Sequence, residues 1–556
     1  MIKERFIGYI EDSIRKNWDI VALANYKGNS FKYSEIAASI IRLHMIFEKA
    51  GIMEGDKISL AGKNSANWCT VYMAAVTYGA VIVPILPDFR PEDLMNIINH
   101  SDSKLLVADR NLMEKLDYSE MPAVSTVLAT EDFAIIDGTD EDVKSLVENI
   151  EKIYKERFPE LKPEMIKFSD IDNEELAVLS YTSGTTGFSK GVMIPHRSLA
   201  ANIRYAQNNM PLDPGDDIVS FLPLAHTYGC AFEFLFPFTY GCHITILTKT
   251  PSPQIILQAF KEIKPRLILS VPLVVEKIYK KQLQPVISKP LMKGALATPG
   301  IKNLIMKKIR KKLFDSFGGN FREMVIGGAA FNADVEKFFR KLNFPFTVGY
   351  GMTECGPLIS YASWDTTKPG ASGRPVDTLE VKIDSSDPEK EVGEIILRGD
   401  NVMLGYYKNE KASREIIDED GWMHTGDLGV MDKENNIFIK GRSKSMLLGP
   451  SGKNIYPEEI ESMLSNQKLI SEAVVVISDD NKLTALVHPD FELMKKENVS
   501  MEQLEEIYEN TRKEVNNRLP NYMAVSRFKI RDDEFDKTPK RSIKRFLYNK
   551  SELSDE

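Results

Sequence analysis

The sequence is poor in several features, and each shortage removes a class of protein. Only four of its 556 residues are cysteine: Cys69, Cys230, Cys242 and Cys355. None stand in a C-x-x-C spacing, so a zinc site has no support, and so few thiols make no disulfide framework. A reducing compartment is the simpler expectation, and with it a cytoplasmic location. No apolar run is long enough to span a bilayer. The most apolar stretch, 229–247, is broken by Glu233, Pro237 and His243. It reads as buried strand and helix with a bend at Pro237. The opening MIKERFIGYI has no long apolar core and cleavage site behind it, so no secretory signal is expected. Positive charge is not in excess: 71 basic residues stand against 80 acidic ones, a net −9. Nucleic-acid binding through a generally basic surface is thereby disfavoured. Internal repeats and low-complexity tracts are also missing.

What remains is ordinary globular composition, 43% hydrophobic and 27% charged. The length exceeds what one core holds, so two or more domains are expected. The first part alternates helical and strand-like patterns: a helix over 34–50 ending at Gly51, a short strand at 57–60, a helix over 67–78 and a β-rich run at 80–85. Such alternation implies an α/β domain with a mostly parallel sheet. The charged stretch 141–162 is expected outside the core. The lysine-rich region 282–322 reads as a surface insertion of solvated helices, with a basic face toward CoA or lipid headgroups as the sharper alternative. Near Lys440 the character changes. After the Gly-, Ser- and Lys-rich segment GRSKSMLLGPSGKN, a helix at 457–465, strands at 473–477 and 483–488 and a helix at 500–518 make a small α+β domain. The boundary is placed at 441–444, with domains 1–441 and 442–556.

The segment that carries most chemistry is YTSGTTGFSKG, 181–191. It follows a strand-like run, 175–179. Gly184, Gly187 and Gly191 allow tight turning and close approach of a ligand. Ser183, Thr185, Thr186 and Ser189 add hydroxyls, exposed backbone N–H groups make an anion nest, and Lys190 adds a cation suited to phosphate. The spacing differs from GxxxxGK[ST], so a P-loop NTPase is excluded. Other residues carry weaker signals. Glu354 beside Thr353 is a hard oxygen donor of the kind magnesium–phosphate sites use, although a Thr-Glu pair alone is more often a helix cap. Gly349 and Gly351 flank Tyr350 and free its ring to lie on a flat base. Gly327, Gly328, Ala329 and Ala330 leave room for one. Asp427 offers two oxygens to paired hydroxyls. His226 sits among apolar residues, where a structural role is commoner than catalysis.

YTSGTTGFSKG resembles the phosphate-binding loop of the adenylate-forming superfamily, which includes acyl-CoA synthetases, luciferases and peptide-synthetase adenylation domains. The resemblance continues in order. LPLAHTYG (222–229) is similar to the acid-site motif and VIGGAAF (325–331) to the adenine-pocket segment. VGYGMTECGP (348–357) is similar to the segment holding adenine, phosphate and magnesium. GWMHTGDLG (421–429) resembles the ribose-binding segment and KGRSK (440–444) the hinge. The resemblance implies a β-subdomain beside the sheets and a mobile C-terminal domain turning about Lys444. It implies ATP contacts from Thr182, Ser183, Gly184, Thr185, Thr186, Gly187 and Lys190, from Gly328, Ala329 and Ala330, from Gly349, Tyr350, Gly351, Met352 and Thr353, and from Asp427 and Arg442. It also implies Mg²⁺ on Glu354 and Thr182, and His226 at the carboxylate site.

The implied reaction joins a carboxylic acid to ATP as acyl-AMP with loss of pyrophosphate, then passes the acyl group to coenzyme A. The catalytic set is Lys190, His226, Thr353, Glu354 and Lys540. VPLVVEKIYKK (271–281) and the long segment after it resemble long-chain acyl-CoA synthetases, so a medium- or long-chain fatty acid is the expected substrate. The run 232–238 is read either as alkyl-tunnel lining or as a core strand. The pattern breaks near the C-terminus. In DKTPKRSIKR (536–545), Ser542 stands where the family carries a lysine, and Lys540 is expected to substitute. The competing readings are a ligase that loads a carrier protein and an inactive nucleotide- or acyl-binding sensor. Peripheral membrane contact and the oligomeric state stay open.

Overall fold

A computed structural model describes residues 2–138, 140–182, 189–249, 252–287, 299–449, 453–478, 480, 482–537 and 543–548. The largest element is an eight-stranded sheet. Its order is Gly405–Tyr406, Lys190–Pro195, Leu176–Thr182, Val81–Ile85, Lys57–Ala61, Ser103–Ala108, Thr126–Ala129, Ile135–Gly138. The strands from Leu176–Thr182 to Thr126–Ala129 run parallel, and antiparallel pairs close both edges. Val81–Ile85 is buried at every position, as a strand covered on both faces must be. Helix Ala66–Tyr78 makes the crossover between two of these strands. Ser65 accepts the Trp68 N–H at its start, and Gly79, at φ 94°, ends it without a Cβ penalty.

A four-stranded sheet sets Asp217–Ser220, His243–Ile246 and Val21–Asn25 in parallel with Ser30–Lys32 at the edge. A three-stranded parallel sheet holds Leu267–Ser270, Glu323–Ile326 and Phe346–Val348. Four antiparallel strands between Leu379 and Arg442 form the β-subdomain. One apolar cluster runs through all of this, from Ile2 to Ile437. A second, from Ile455 to Val525, belongs to the three-stranded sheet Ile470–Ile477, Leu483–Pro489, Arg527–Ile530 and to helices Pro457–Ser465 and Met501–Asn516. The protein is thus α/β, with a large N-terminal and a small C-terminal domain.

Three expectations are corrected. Stretch 141–162 does not lie outside the core. It forms helices Glu141–Glu148 and Ile150–Arg157; Val143 is buried in the main cluster with Leu146, Val147 and Ile150 packed against it, and Tyr154 is buried beneath the Arg42 guanidinium. The charges that suggested exposure occupy the other face. Run 232–238 is no strand: it is helical, with a π-turn at Cys230–Leu235 leading into Phe236–Tyr240. Phe232, Phe234, Phe236 and Phe238 alternate as in a strand, yet all are buried because the core surrounds the helix on every side. Pro237 makes no break, since the wider π-turn just before it accommodates the missing N–H. Finally, the insertion is not wholly solvated, because helix Pro299–Ser316 buries Leu313 and packs Met306, Ile309 and Phe314 on the core.

Candidate active site

Strands Leu176–Thr182 and Lys190–Pro195 pair antiparallel with Thr182 opposite Lys190. The Gly/Ser/Thr segment connects these two strands in the chain. Its residues Ser183, Gly184, Thr185, Thr186 and Gly187 lie outside the described residues. Lys190, at the start of its strand, places Nζ 4.6 Å from the centre of the Tyr406 ring. Tyr406 reaches this point because Gly405–Tyr406 pairs with the same strand, Tyr406 opposite Val192. The Tyr406 hydroxyl donates to Glu354 Oε1 at 2.9 Å. The Glu354 carbonyl in turn accepts the Met403 N–H at 2.9 Å, tying both segments together. Tyr406 is thus the bridge between the lysine and the carboxylate, a residue the sequence motifs do not single out.

A second cluster lies on the strand ends nearby. The Tyr350 hydroxyl donates to Asp427 Oδ2 at 2.7 Å, and Arg442 Nε stands 3.0 Å from Asp427 Oδ1. Asp427 and Arg442 are register partners on adjacent strands of the β-subdomain. Burial raises the Asp427 carboxyl above its ordinary range, and Arg442 and Tyr350 pull it partly back. Tyr350 and Glu354 belong to one short segment, which joins the two clusters.

The small residues have mixed reasons. Gly328 takes φ 85°, and Ala329 and Ala330 beside it are exposed. Gly327 makes room for the Tyr228 ring, whose Cζ would stand 3.2 Å from an added Cβ. Gly351 is needed because a Cβ there would meet the Pro357 carbonyl oxygen at 2.2 Å, while a Cβ on Gly349 would meet nothing closer than 3.6 Å. So Gly351 is explained by the backbone's own closeness, not by a ligand ring.

The acid-site segment is fastened at two points. The Tyr228 hydroxyl reaches the Val325 carbonyl at 3.1 Å and the Ser270 carbonyl at 3.4 Å, the ends of two parallel strands. Glu233 Oε2 accepts the N–H groups of Phe221 and Leu222 at 2.9 and 2.8 Å and the Ser220 hydroxyl at 3.2 Å. Burial pushes this carboxyl up to about 8. An acid inside an apolar run speaks against a membrane span, and it is also the signal of a buried anchor. His226, half-buried, immediately precedes the turn Thr227–Gly229. Behind that turn a narrow apolar cavity of about 10 Å³, room for one water, is lined by Tyr72, Val178, Leu199, Cys230, Ala231 and Leu235 among others.

No group of three or more His, Cys, Asp or Glu side chains that could hold a metal occurs among the described residues. A magnesium ion carried by phosphates asks for less, typically one or two carboxylates with waters completing its shell. Glu354, half-buried beside Thr353, fits that need.

The C-terminal domain docks beside the segment 325–334. Asn332 caps helix Ala333–Lys341 through the N–H groups of Asp334 and Val335. Its side chain also exchanges two hydrogen bonds with Asn466, at 2.6 and 2.9 Å, and donates to the Ser462 carbonyl at 3.1 Å. Arg518 pairs with Asp334 at 3.0 Å, and Lys280 donates to the Ser465 carbonyl. Lys444 is exposed in the turn Ser443–Ser445 that follows the last β-subdomain strand. Lys540 and Ser542 lie outside the described residues.

The family model described as AMP-binding enzyme matches residues 10–407, and that described as AMP-binding enzyme C-terminal domain matches residues 445–551. The chain belongs to the AMP-binding enzyme family. It is 28% identical over 554 residues to a probable chloroplastic acyl-activating enzyme 16 of Arabidopsis thaliana, covering 86% of this chain and 76% of that one. Against the peroxisomal long chain acyl-CoA synthetase 7 of Arabidopsis thaliana the identity is 30%, over 80% of this chain and 66% of the relative. Against 4-coumarate–CoA ligase 2 of Petroselinum crispum it is 28%, over 85% and 82%. In fold it is similar to an anthranilate CoA ligase bound to anthranoyl-AMP, with TM-score 0.77 and 19% identity over 98% of this chain and 96% of that one. ATP-bound MatB from Rhodopseudomonas palustris gives 0.75 and 21% over 98% of both. No helix among the described residues is long and apolar enough to cross a membrane.

Proposed function

We propose that the protein is an ATP-dependent acid–CoA ligase whose acid is a medium- or long-chain fatty acid. The observation that carries the reading is the pair of linked contacts Lys190–Tyr406–Glu354 and Tyr350–Asp427–Arg442, joined through the segment that holds both Tyr350 and Glu354. A carboxylate oxygen attacks the α-phosphorus of ATP, the bond to the bridging oxygen breaks, and pyrophosphate leaves. The carboxylate is already ionised at neutral pH and needs no base. Lys190 offsets charge on the phosphoryl oxygens, with N–H groups of the 183–188 loop as further donors. Glu354 would hold Mg²⁺, which supplies further charge neutralisation when bound. Asp427 and Arg442 orient the ribose, and Tyr350 sets the plane of the adenine pocket. The CoA thiol sulfur then attacks the acyl carbonyl, the thiol proton leaves, and AMP departs.

Two steps with different contacts give the small domain a reason to turn about Lys444. Lys540 is the proposed cation of the first step in place of the family lysine. The acyl chain is proposed to enter beside the acid-site turn, where the apolar cavity would have to widen, each buried methylene contributing about 0.8 kcal/mol. Similarity to both fatty-acyl and coumarate ligases leaves the acid to experiment, as do relatives named for a carrier-protein acceptor.

The test is pyrophosphate release with acids of graded chain length, with and without CoA. Release that rises with chain length, with AMP and a CoA thioester as products, supports the reading. Release with aryl acids alone removes the fatty-acid assignment. Acyl transfer to a carrier protein but not to CoA gives the alternative acceptor. ATP binding with no pyrophosphate release for any acid leaves a sensor.

A further inference from the structure

Helix Pro299–Ser316 sits within a run of the sequence whose charge departs from the rest. Residues 277–314 hold eleven lysines and arginines and no acidic residue, in a chain whose net charge is −9. The structure sorts this run on the helix. Met306, Ile309, Leu313 and Phe317 fall on one face and pack on the core. Leu304, Lys307, Lys308, Lys311 and Lys312 recur at the spacing of the opposite face, and all five are exposed. Leu304 is 66% exposed in the middle of the lysines.

An ordinary solvated face mixes signs, as helix Met501–Asn516 does with its Glu509–Arg512 pair. Here Lys307 with Lys311, and Lys308 with Lys312, stand four residues apart, an arrangement that destabilises a helix by repulsion. Among the described residues, the ion pair on this helix is Lys311–Asp315 at 3.4 Å. A face that repels itself is relieved by a polyanionic surface. An acidic protein would supply the charge but gives no reason for an exposed leucine amid the lysines. A lipid surface accounts for both: headgroup phosphates meet the ammonium groups, and the leucine reaches the apolar layer just beneath.

We infer that the outward face of helix Pro299–Ser316 docks the protein on an anionic lipid surface. The helix keeps its apolar face on the core, so it rests on the headgroups and does not insert. If the acid is a fatty acid, docking brings the enzyme to the phase where its substrate dissolves. Docking itself does not depend on that reading, because vesicle binding is read without turnover.

The experiment is co-sedimentation of the full chain with phosphatidylcholine vesicles, with and without phosphatidylglycerol. Binding is expected only to the phosphatidylglycerol vesicles and should weaken as salt is raised. The double variant Lys307→Glu/Lys311→Glu should bind at least about tenfold more weakly. Both side chains are exposed, so its thermal melt and its pyrophosphate release with a water-soluble acid should stay at wild-type values. Leu304→Asn should give a smaller loss at unchanged charge. Equal binding to both vesicle types, or undiminished binding by the double variant, overturns the inference. Capture of an acidic carrier protein by this face with no vesicle binding overturns it too, and assigns the face to a protein partner.

Discussion

Glu233 offers the sharpest physical test of how the acid-site segment is held. Its carboxyl is fully buried, three donors converge on Oε2, and Oε1 has no partner among the described residues. Burial raises it from 4.5 to about 8, so the folded protein keeps a proton that the unfolded chain gives up near 4.5. Where the native state binds the extra proton, stability falls as pH rises. The group's contribution is therefore intact below about 4.5 and erodes through to about 8. At 1.36 kcal/mol per unit, the loss between pH 5 and pH 7 is about 2–3 kcal/mol.

Glu233→Gln keeps an oxygen for the Phe221 and Leu222 N–H groups but does not titrate. Its amide nitrogen would lie where Oε1 has no partner, a fixed cost of about 1–3 kcal/mol at every pH. The variant should thus be the less stable protein at pH 5. The gap should narrow by about 2–3 kcal/mol by pH 7. Urea unfolding of both proteins from pH 5 to 8, read on the large domain, measures this directly, and other titrating groups cancel in the difference. A gap constant across that window would refute the reasoning, because Glu233 would then not be titrating there.

Asp427→Asn removes the charge that Arg442 faces, and pyrophosphate release should fall about 10–100-fold, the worth of a charged hydrogen bond; wild-type rates would detach the pair from the nucleotide. Lys540→Ala should slow acyl-AMP formation about 100-fold while thioester formation from supplied acyl-AMP changes little. Equal slowing of both steps, or none, removes Lys540 from the catalytic set. At the domain contact, Asn466→Ala should speed proteolytic cleavage of the 441–449 segment more than Arg518→Ala does. The part-buried Asn332–Asn466 exchange is worth about 1 kcal/mol, whereas the more exposed Arg518–Asp334 pair is worth less. The reverse order, measured by cleavage rates, would place the docking energy in the ion pair.

The candidate site was legible where the local sequence is unusual. The glycine and hydroxyl string before Lys190, the Thr353–Glu354 pair and Asp427 beside Gly426 all stand out residue by residue. Tyr406 does not. It stands 52 positions after Glu354 in the chain and joins Lys190 only because strand Gly405–Tyr406 pairs with Lys190–Pro195. Such a contact is a property of topology and leaves no local pattern. The phenylalanines at 232–238 failed for the opposite reason. Periodicity reports which faces are wet, and a helix with no wet face has no period to read. Helices Glu141–Glu148 and Ile150–Arg157 were misplaced because their charges were counted and their narrow apolar stripes were not.

Gly327 shows how the two sources of information combine. A small residue in an adenine-pocket segment suggests space kept for a ligand, yet the ring it admits is that of Tyr228. That ring comes from the acid-site segment, and its hydroxyl reaches the ends of the strands at Val325 and Ser270. Glu233 grips the same segment from its other end at Phe221 and Leu222. The segment carrying His226 is therefore clamped to the strands that carry the adenine-side residues. The side on which Asn332 meets the small domain follows directly after them in the chain. Under the proposed assignment of these two segments to acid and adenine, a change that dislodges Tyr228 from Gly327 should be felt in the KM of both the acid and ATP, because this contact holds the segments together.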